Sequence, residues 1–222
     1  MPVGYPVPMP LTPAERETMA GRLAGLTHPV RIALYTRADG CDTCADTEAI
    51  LEDVAALSPY LSVDRHDWPG GEVAPGVEHV PAIVVLREVG GALVDHGVRL
   101  VGAPVGYELT SLADAILIVG GGDPALTADS TTRLATLSRP VHVQVFSTPT
   151  CVYCPRAVAL AHRLALASPL ISATAYSVIE FPDLIRRHRV TGVPKIVVDT
   201  GVELLGTQPE GTLVDAVLHA AN

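Results

Sequence analysis

The first half of the chain alternates short apolar runs with amphipathic stretches. The apolar runs predict strands at 30–36, 61–66, 82–86 and 93–97. Helical patterns cover 42–57 and 107–119, and an earlier helix is predicted to begin at Pro13, after the capping residue Thr12. Strands that alternate with helices are typical of an α/β unit with a central sheet.

The second half repeats this order of elements. Strands are predicted at 141–147, 171–178, 195–199 and 203–205, and helices at 152–167, 183–188 and 212–220. Asp123-Pro124 resembles the start of the first helix and predicts another helix there. The segment 70–76, rich in Gly and Pro, should lack the helix that its counterpart 183–188 forms.

Landmarks recur at a nearly constant distance, which indicates an internal duplication. Pro29 and Pro140 are 111 residues apart, and Pro81 and Pro194 are 113 apart. We therefore predict two tandem units, at 11–120 and 121–222. Residues 1–10 hold four prolines, no basic residue and no apolar segment, and are predicted to be a disordered tail rather than a signal peptide.

Composition and charge narrow the class of protein. The 222 residues include 15 basic and 24 acidic side chains, a net charge of −9, and show no basic stripe, which argues against nucleic acid as a partner. No apolar run is long enough to cross a membrane, so a membrane is not expected as a partner. A cytoplasmic location is therefore our default expectation.

The candidate chemistry lies in four cysteines, which form two C-x-x-C pairs. Cys41 and Cys44 make the first pair, and Cys151 and Cys154 make the second. Each pair follows a predicted strand and begins a predicted helix, where unpaired N–H groups and the helix dipole stabilise a thiolate. A second cysteine three residues later can resolve a mixed disulfide. The pattern favours two reversible, redox-active disulfides.

Two other roles for the cysteines remain open at this point. Two C-x-x-C pairs can bind zinc, although the 106 residues between them exceed the spacing of a zinc ribbon. The pairs could also be purely structural disulfides. Gly120-Gly121-Gly122 links the halves and lacks the G-x-G-x-x-G pattern, so no nucleotide site follows from it.

With these motifs, each half resembles a thioredoxin or glutaredoxin unit. The whole chain resembles the protein disulfide oxidoreductases, or glutaredoxin-like proteins, known mainly from archaea and thermophilic bacteria. The resemblance is most specific at Thr148-Pro149-Thr150-Cys151-Val152-Tyr153-Cys154-Pro155 and at Gly192-Val193-Pro194. It implies two tandem thioredoxin-like domains, each with a mixed central sheet flanked by helices.

The resemblance also implies a set of site residues and partners. Pro81 and Pro194 would be cis, and the preceding Val80 and Val193 would bind the substrate backbone like an added strand. Tyr153 is a further candidate for substrate contact. Protein disulfides would be the substrates, and a thioredoxin-reductase-like flavoprotein would donate the electrons. The disulfides would be the redox groups, with no further cofactor expected.

The sequence departs from thioredoxins in one important respect. Thioredoxins place a buried Asp six residues before the first Cys, where this chain has Tyr35 and Val145, so the proton acceptor is not identified. Asp39 and Asp42 lie beside the first pair and should oppose a thiolate at Cys41. We therefore predict that Cys151 is the more reactive nucleophile.

Three functions are consistent with these observations. The first is a disulfide oxidoreductase that reduces, forms or isomerises protein disulfides. The second is a dedicated electron shuttle between a flavoprotein reductase and a peroxidase-type partner, similar to the tandem N-terminal domain of the alkyl hydroperoxide reductase flavoprotein. The third is a zinc-binding, non-enzymatic module.

Overall fold

Eight strands and seven helices follow one another in the order that the periodicity predicts. The computed structural model describes residues 10–68, 76–199 and 201–221. The strands are β1 Val30–Thr36, β2 Leu61–Asp67, β3 Ala82–Val89, β4 Ala92–Val101, β5 Val141–Ser147, β6 Ile171–Ser177, β7 Lys195–Val198 and β8 Val202–Leu205. The helices are α1 Pro13–Leu23, α2 Cys44–Ala55, α3 Tyr107–Gly121, α4 Ala128–Leu134, α5 Cys154–Ala167, α6 Pro182–Arg187 and α7 Glu210–Ala220, with a 3-10 turn at Val178–Glu180.

All eight strands belong to one continuous sheet, in the order β2-β1-β3-β4-β6-β5-β7-β8. The sequence predicted a central sheet in each half, and the structure joins the two through β4 and β6, which run parallel. Because β1, β4, β5 and β6 all point the same way, β1 and β5 end at the same edge of the sheet. Both cysteine pairs therefore lie at that edge.

The two halves also share one hydrophobic core. Alternate strand residues face opposite sides of the sheet, so Val141, Val143 and Val145 pack into the larger core while Phe146 packs on the other face. The larger core takes side chains from α1, α2, α3, α5 and α7. The division into units at residue 120 stays a prediction, because sheet and core are continuous across it.

Gly97 permits the approach of β4 to β6. Its φ is +75°, and a Cβ built on it would lie 2.9 Å from both the carbonyl oxygen of Ile171 and the Cα of Ser172. Both neighbours are backbone atoms at the start of β6 and cannot move aside alone. A side chain at this position would therefore push the two half-sheets apart.

The fourth helix begins later than the sequence predicts. Asp123-Pro124 does not begin it, because the Asp123 carboxylate accepts a hydrogen bond from the N–H of Ala125, whose φ is +49°. This local turn replaces the first helical turn. The helix instead begins at Ala128, where the Thr127 hydroxyl accepts from the N–H of Ser130.

Two other expectations fall partly or wholly outside the described residues. The tail assigned to 1–10 lies there except for Pro10, and so does most of the Gly- and Pro-rich segment 70–76. The predicted elements elsewhere agree with the structure, apart from shifts of a few residues at their ends and a longer β4. No helix among the described residues has the length and apolar character needed to cross a bilayer.

We predict that Gly97→Ala lowers the free energy of unfolding by about 2 kcal/mol or more, because it adds both backbone strain and a clash with β6. Urea unfolding followed by circular dichroism measures this change. Gly91→Ala is the matched control, since Gly91 has a φ of +83° but nothing within 4 Å of an added Cβ. Equal losses in the two variants would contradict a role for Gly97 in joining the sheets.

Candidate redox sites

Each C-x-x-C pair forms a disulfide at the start of a helix. Cys41 is bonded to Cys44 and Cys151 to Cys154, with Cα–Cα distances of 5.5 and 5.4 Å. In each pair the first cysteine is partly exposed, whereas Cys44 and Cys154 are buried. The outer sulfur can therefore meet a partner, and the inner one is protected until exchange begins.

The charges around the two outer cysteines differ. The first turn of α5 carries no acidic residue and includes Arg156. The first turn of α2 carries Asp46, and the exposed Asp42 lies between the first two cysteines. Carboxylates oppose a neighbouring thiolate, so this arrangement supports Cys151 as the better nucleophile, which stays a prediction.

A cis-proline lies at the same sheet edge in each half. The Val80–Pro81 and Val193–Pro194 peptide bonds are both cis, as the resemblance implies. The Pro81 carbonyl accepts from the N–H of Gly102, at 2.9 Å, and the Pro194 carbonyl likewise accepts from the N–H of a glycine. Within the described ranges, no hydrogen bond involves the backbone of Val80 or Val193, which leaves these groups available to an added strand.

Tyr153 is 68% exposed, and the neighbouring Val152 is 54% exposed. Both lie between the cysteines of the second pair, so the structure presents two large apolar side chains beside Cys151. Such exposure is consistent with the predicted contact between Tyr153 and a substrate, a role that stays a prediction.

A cavity of about 760 Å³ opens beside Cys41. One wall comes from the first half and includes Arg37, Trp68 and His79, while the other comes from the second half and includes Pro149 and Phe181. Trp68 and Phe181, which occupy corresponding positions in the two repeats, thus face one space. The Arg37 guanidinium lies over the Trp68 ring at 5.9 Å.

Glu180 of the second half contacts the first C-x-x-C motif directly. Its carboxylate accepts hydrogen bonds from the Thr43 hydroxyl and, at 2.8 Å, from the N–H of Ala103. Burial raises the pKa of this carboxyl above its ordinary value, although these donors partly offset the rise. A residue of one half thereby fixes the motif of the other.

The reverse contact holds the second site. The N–H of Tyr107 donates to the Pro149 carbonyl at 2.9 Å, two residues before Cys151. Gly106 has a φ of +57°, and a Cβ on it would lie 2.5 Å from the same carbonyl oxygen. Only glycine fits where the first half meets the loop that leads to Cys151.

Glu108 is a buried carboxyl that the sequence analysis missed. It lies in the first turn of α3, in the first half, but reaches Ser147, the last residue of β5, whose hydroxyl donates to Oε1 at 2.7 Å. Burial raises its pKa to about 7. Its other oxygen finds no partner among the described residues, and it borders a cavity of about 10 Å³ that also touches Ser111 and Ser177, whose hydroxyls are likewise unpartnered.

The signal for Glu108 was hidden because sequence reasoning looked for an acid in the strand that precedes each cysteine pair. A glutamate in the first turn of a helix normally interacts with the helix dipole. Only the junction of the two half-sheets brings it beneath β5. His79, two residues before Pro81, is another side chain at a site, since it lines the cavity beside Cys41 at 3.4 Å from the Asp183 carboxylate.

The zinc alternative is not supported by the arrangement of the cysteines. Four steps in strand order separate β1 from β5, which corresponds to about 19 Å at about 4.8 Å per step. The two pairs cannot share one tetrahedral ion across that distance. Within the described part of the chain, no group of three or more His, Cys, Asp or Glu residues is placed to hold a metal.

Comparison with known proteins agrees with this architecture. The family model described as a thioredoxin domain matches residues 141–219. A protein disulfide oxidoreductase from Aeropyrum pernix superimposes with a TM-score of 0.85 at 27% identity, covering 96% of this chain and 94% of that one. The alkylhydroperoxide reductase AhpF of Enterococcus faecalis gives 0.82 at 23% identity over 94% of this chain and 100% of the matched chain, a likeness of fold.

Sequence relatives are longer proteins. A Bacillus subtilis protein named NADH dehydrogenase is 26% identical over 74% of this chain, and the alkyl hydroperoxide reductase AhpF of Pseudomonas aeruginosa is 30% identical over 46%. The matches span only 30% and 20% of those proteins. The predicted fold and resemblance are confirmed: this is a thioredoxin-like protein with two C-x-x-C disulfides, the groups that a thiol–disulfide oxidoreductase uses.

We predict that Glu108→Gln stabilises the protein at alkaline pH. The raised pKa means that folding favours the protonated carboxyl, so its contribution is present below about pH 4.5 and is lost as the pH rises through about 7. Gln mimics the protonated form. At pH 8 the variant should gain about 2 kcal/mol in free energy of unfolding, and near pH 4 it should match the wild type.

Urea unfolding at both pH values measures this difference. Glu52→Gln, which makes the same substitution at an exposed position of α2, is the control and should change little at either pH. An equal effect of Glu108→Gln at pH 4 and pH 8 would show that ionisation of Glu108 does not affect folding.

We also predict that Cys151 is alkylated several-fold faster than Cys41 in the reduced protein at about pH 6, because α5 begins without a carboxylate. Limiting iodoacetamide followed by peptide mass mapping gives the order of modification. Preferential labelling of Cys41 would reverse the assignment.

Proposed function

We propose that this chain exchanges disulfides with protein substrates and that Cys151 is its principal nucleophile. The supporting observation is the geometry of the second site: a partly exposed sulfur at a helix start, a buried partner sulfur and a cis-proline at the same sheet edge. Val193 supplies free backbone groups beside it for the substrate chain. These features together fit an extended peptide that carries a disulfide.

The reaction proceeds in two exchanges. The Cys151 thiolate attacks one sulfur of the substrate disulfide, forming a mixed disulfide while the other substrate sulfur leaves as a thiolate and takes a proton from solvent. The Cys154 thiolate then attacks Cys151, which closes the protein disulfide and releases the second substrate thiol. Two electrons pass from the protein to the substrate, and the reverse sequence installs a disulfide.

The Cys41 site is proposed to carry out the same chemistry on its own partners, with Val80 and Pro81 beside it. Direct exchange between the two sites requires sulfur atoms in contact, and about 19 Å of rigid sheet separates the strands that present them. Electrons that move between the sites would therefore travel on a third molecule.

The reductant that regenerates the dithiols is proposed to be a flavoprotein of the thioredoxin-reductase type. The sequence relatives support this proposal, because they include proteins named NADH dehydrogenase and alkyl hydroperoxide reductase AhpF. The same names favour a second candidate function, an electron shuttle that serves a peroxidase-type partner. A shuttle of that kind would act on its own partner and poorly on a general substrate.

Insulin reduction driven by dithiothreitol distinguishes these functions. We expect the wild type to reduce insulin, Cys151→Ser to lose about 90% of that activity or more, and Cys41→Ser to keep more than about half, because Cys151 is the better thiolate. Turbidity of the precipitating insulin chains measures the rate. Failure of all three proteins to act would contradict the general oxidoreductase and favour the shuttle.

A further inference from the structure

The cavity beside Cys41 is the largest feature that the chemistry of thiol exchange alone does not explain. Its volume of about 760 Å³ lies in the range of sites that enclose a small molecule or a few residues of peptide. The Cys41 sulfur opens into it, and the wall opposite is built by Ile179, Phe181 and Pro182 of the second half. A substrate of this site must therefore enter a walled space.

The lining of the cavity is strongly acidic. Four carboxyl groups border it, from Asp42, Asp46, Glu78 and Glu180. Arg37 is the only Lys or Arg among the described residues that line it. The Arg37 guanidinium is already engaged by the Gly40 carbonyl and the Trp68 ring, so it offers little free charge to an anionic ligand.

The surroundings of Cys151 have a different character. Val152 and Tyr153 are exposed beside it, and Leu205, 65% exposed, lies 3.5 Å from a Cβ built on Gly192, two residues before the cis-proline. The nearest charge on α5 is that of Arg156. This site presents apolar surface rather than negative charge.

We propose that the Cys41 site selects disulfides carried on positively charged molecules, whereas the Cys151 site exchanges disulfides with little regard to their charge. The inference rests on the proposed thiol–disulfide exchange and adds the substrate class of its first site. Four carboxyl groups against one occupied guanidinium attract a cation into a confined space, where the local potential exceeds that of a flat surface. The same carboxyl groups repel an anionic disulfide.

Two low-mass disulfides of similar length and opposite charge test the selectivity. Cystamine carries two positive charges and 3,3′-dithiodipropionate carries two negative ones. The reduced Cys41 site attacks either disulfide, releases one thiol, and then closes the Cys41–Cys44 disulfide as the second thiol leaves. The thiols that remain on the protein are counted by alkylation and mass spectrometry over time.

Each site is measured alone in the full chain. Cys151→Ser with Cys154→Ser leaves the first site, and Cys41→Ser with Cys44→Ser leaves the second. The rate ratio of cystamine to dithiodipropionate is divided by the same ratio for dithiothreitol, which removes their intrinsic difference. We expect a corrected ratio of about five or more at the first site in about 20 mM salt, falling below about two in 0.5 M salt.

Charge removal from the cavity supplies the matched comparison. Asp42→Asn with Glu78→Gln should lower the corrected ratio at the first site by about threefold, while Glu52→Gln, on the same helix as Asp46 but outside the cavity, should leave it unchanged. A lysine-flanked and a glutamate-flanked peptide disulfide extend the test, and the larger of the two preferences identifies a peptide or a low-mass molecule as the source of the cation.

Equal corrected ratios at both sites, or a ratio insensitive to salt and to the carboxylate variants, would overturn the selectivity while leaving the exchange chemistry intact. Failure of the first site to oxidise with either disulfide, in a variant whose second site behaves normally when restored, would instead contradict the proposed function of that site.

Discussion

The parallel pairing of β4 with β6 determines how the rest of the molecule is arranged. It makes one sheet of two, and it sets the directions of β1 and β5 so that both cysteine pairs meet the same edge. The pairing requires the backbones to come together at Gly97, where no side chain could fit. Neither site could be assembled as it is from a unit folded alone, because each takes contacts from the other half.

Those contacts are reciprocal but chemically unlike. Glu180 reaches back to Thr43 in the first motif, whereas Tyr107 and Gly106 reach forward to the carbonyl of Pro149. The first contact brings a buried carboxyl to a site that is already acidic, and the second brings only neutral backbone. Duplication followed by fusion has thus produced two sites that share a mechanism but differ in their electrostatic environment.

Most of the local structure could be predicted from the sequence, because it depends on short-range patterns. The apolar runs located β1 and β5 at their observed bounds, and the spacing of the cysteines located the start of each redox helix. The start of α4 could not be predicted, since Asp123 can either cap a helix or close a turn, and the turn forms here. The choice depends on tertiary context rather than on residue type.

The contents of the sites were less accessible for the same physical reason. The acidic cavity and the buried Glu108 both depend on the junction between halves, and parallel strand pairing leaves no short-range signature in the chain. The sequence therefore predicted the reactive sulfurs but not the groups around them. Glu78 and Glu180 show the difference: one lies before a cis-proline and the other after β6, yet they line one space.

The common edge of the sheet has a kinetic consequence. A folded domain of 100 residues has a radius of gyration of about 13 Å, so its diameter exceeds the roughly 19 Å between the strands that present the two disulfides. Two globular partners of that size would overlap if both docked at once. Reductant and substrate would then occupy the edge in turn, in a ping-pong sequence, and an excess of either would act as a competitive inhibitor of the other.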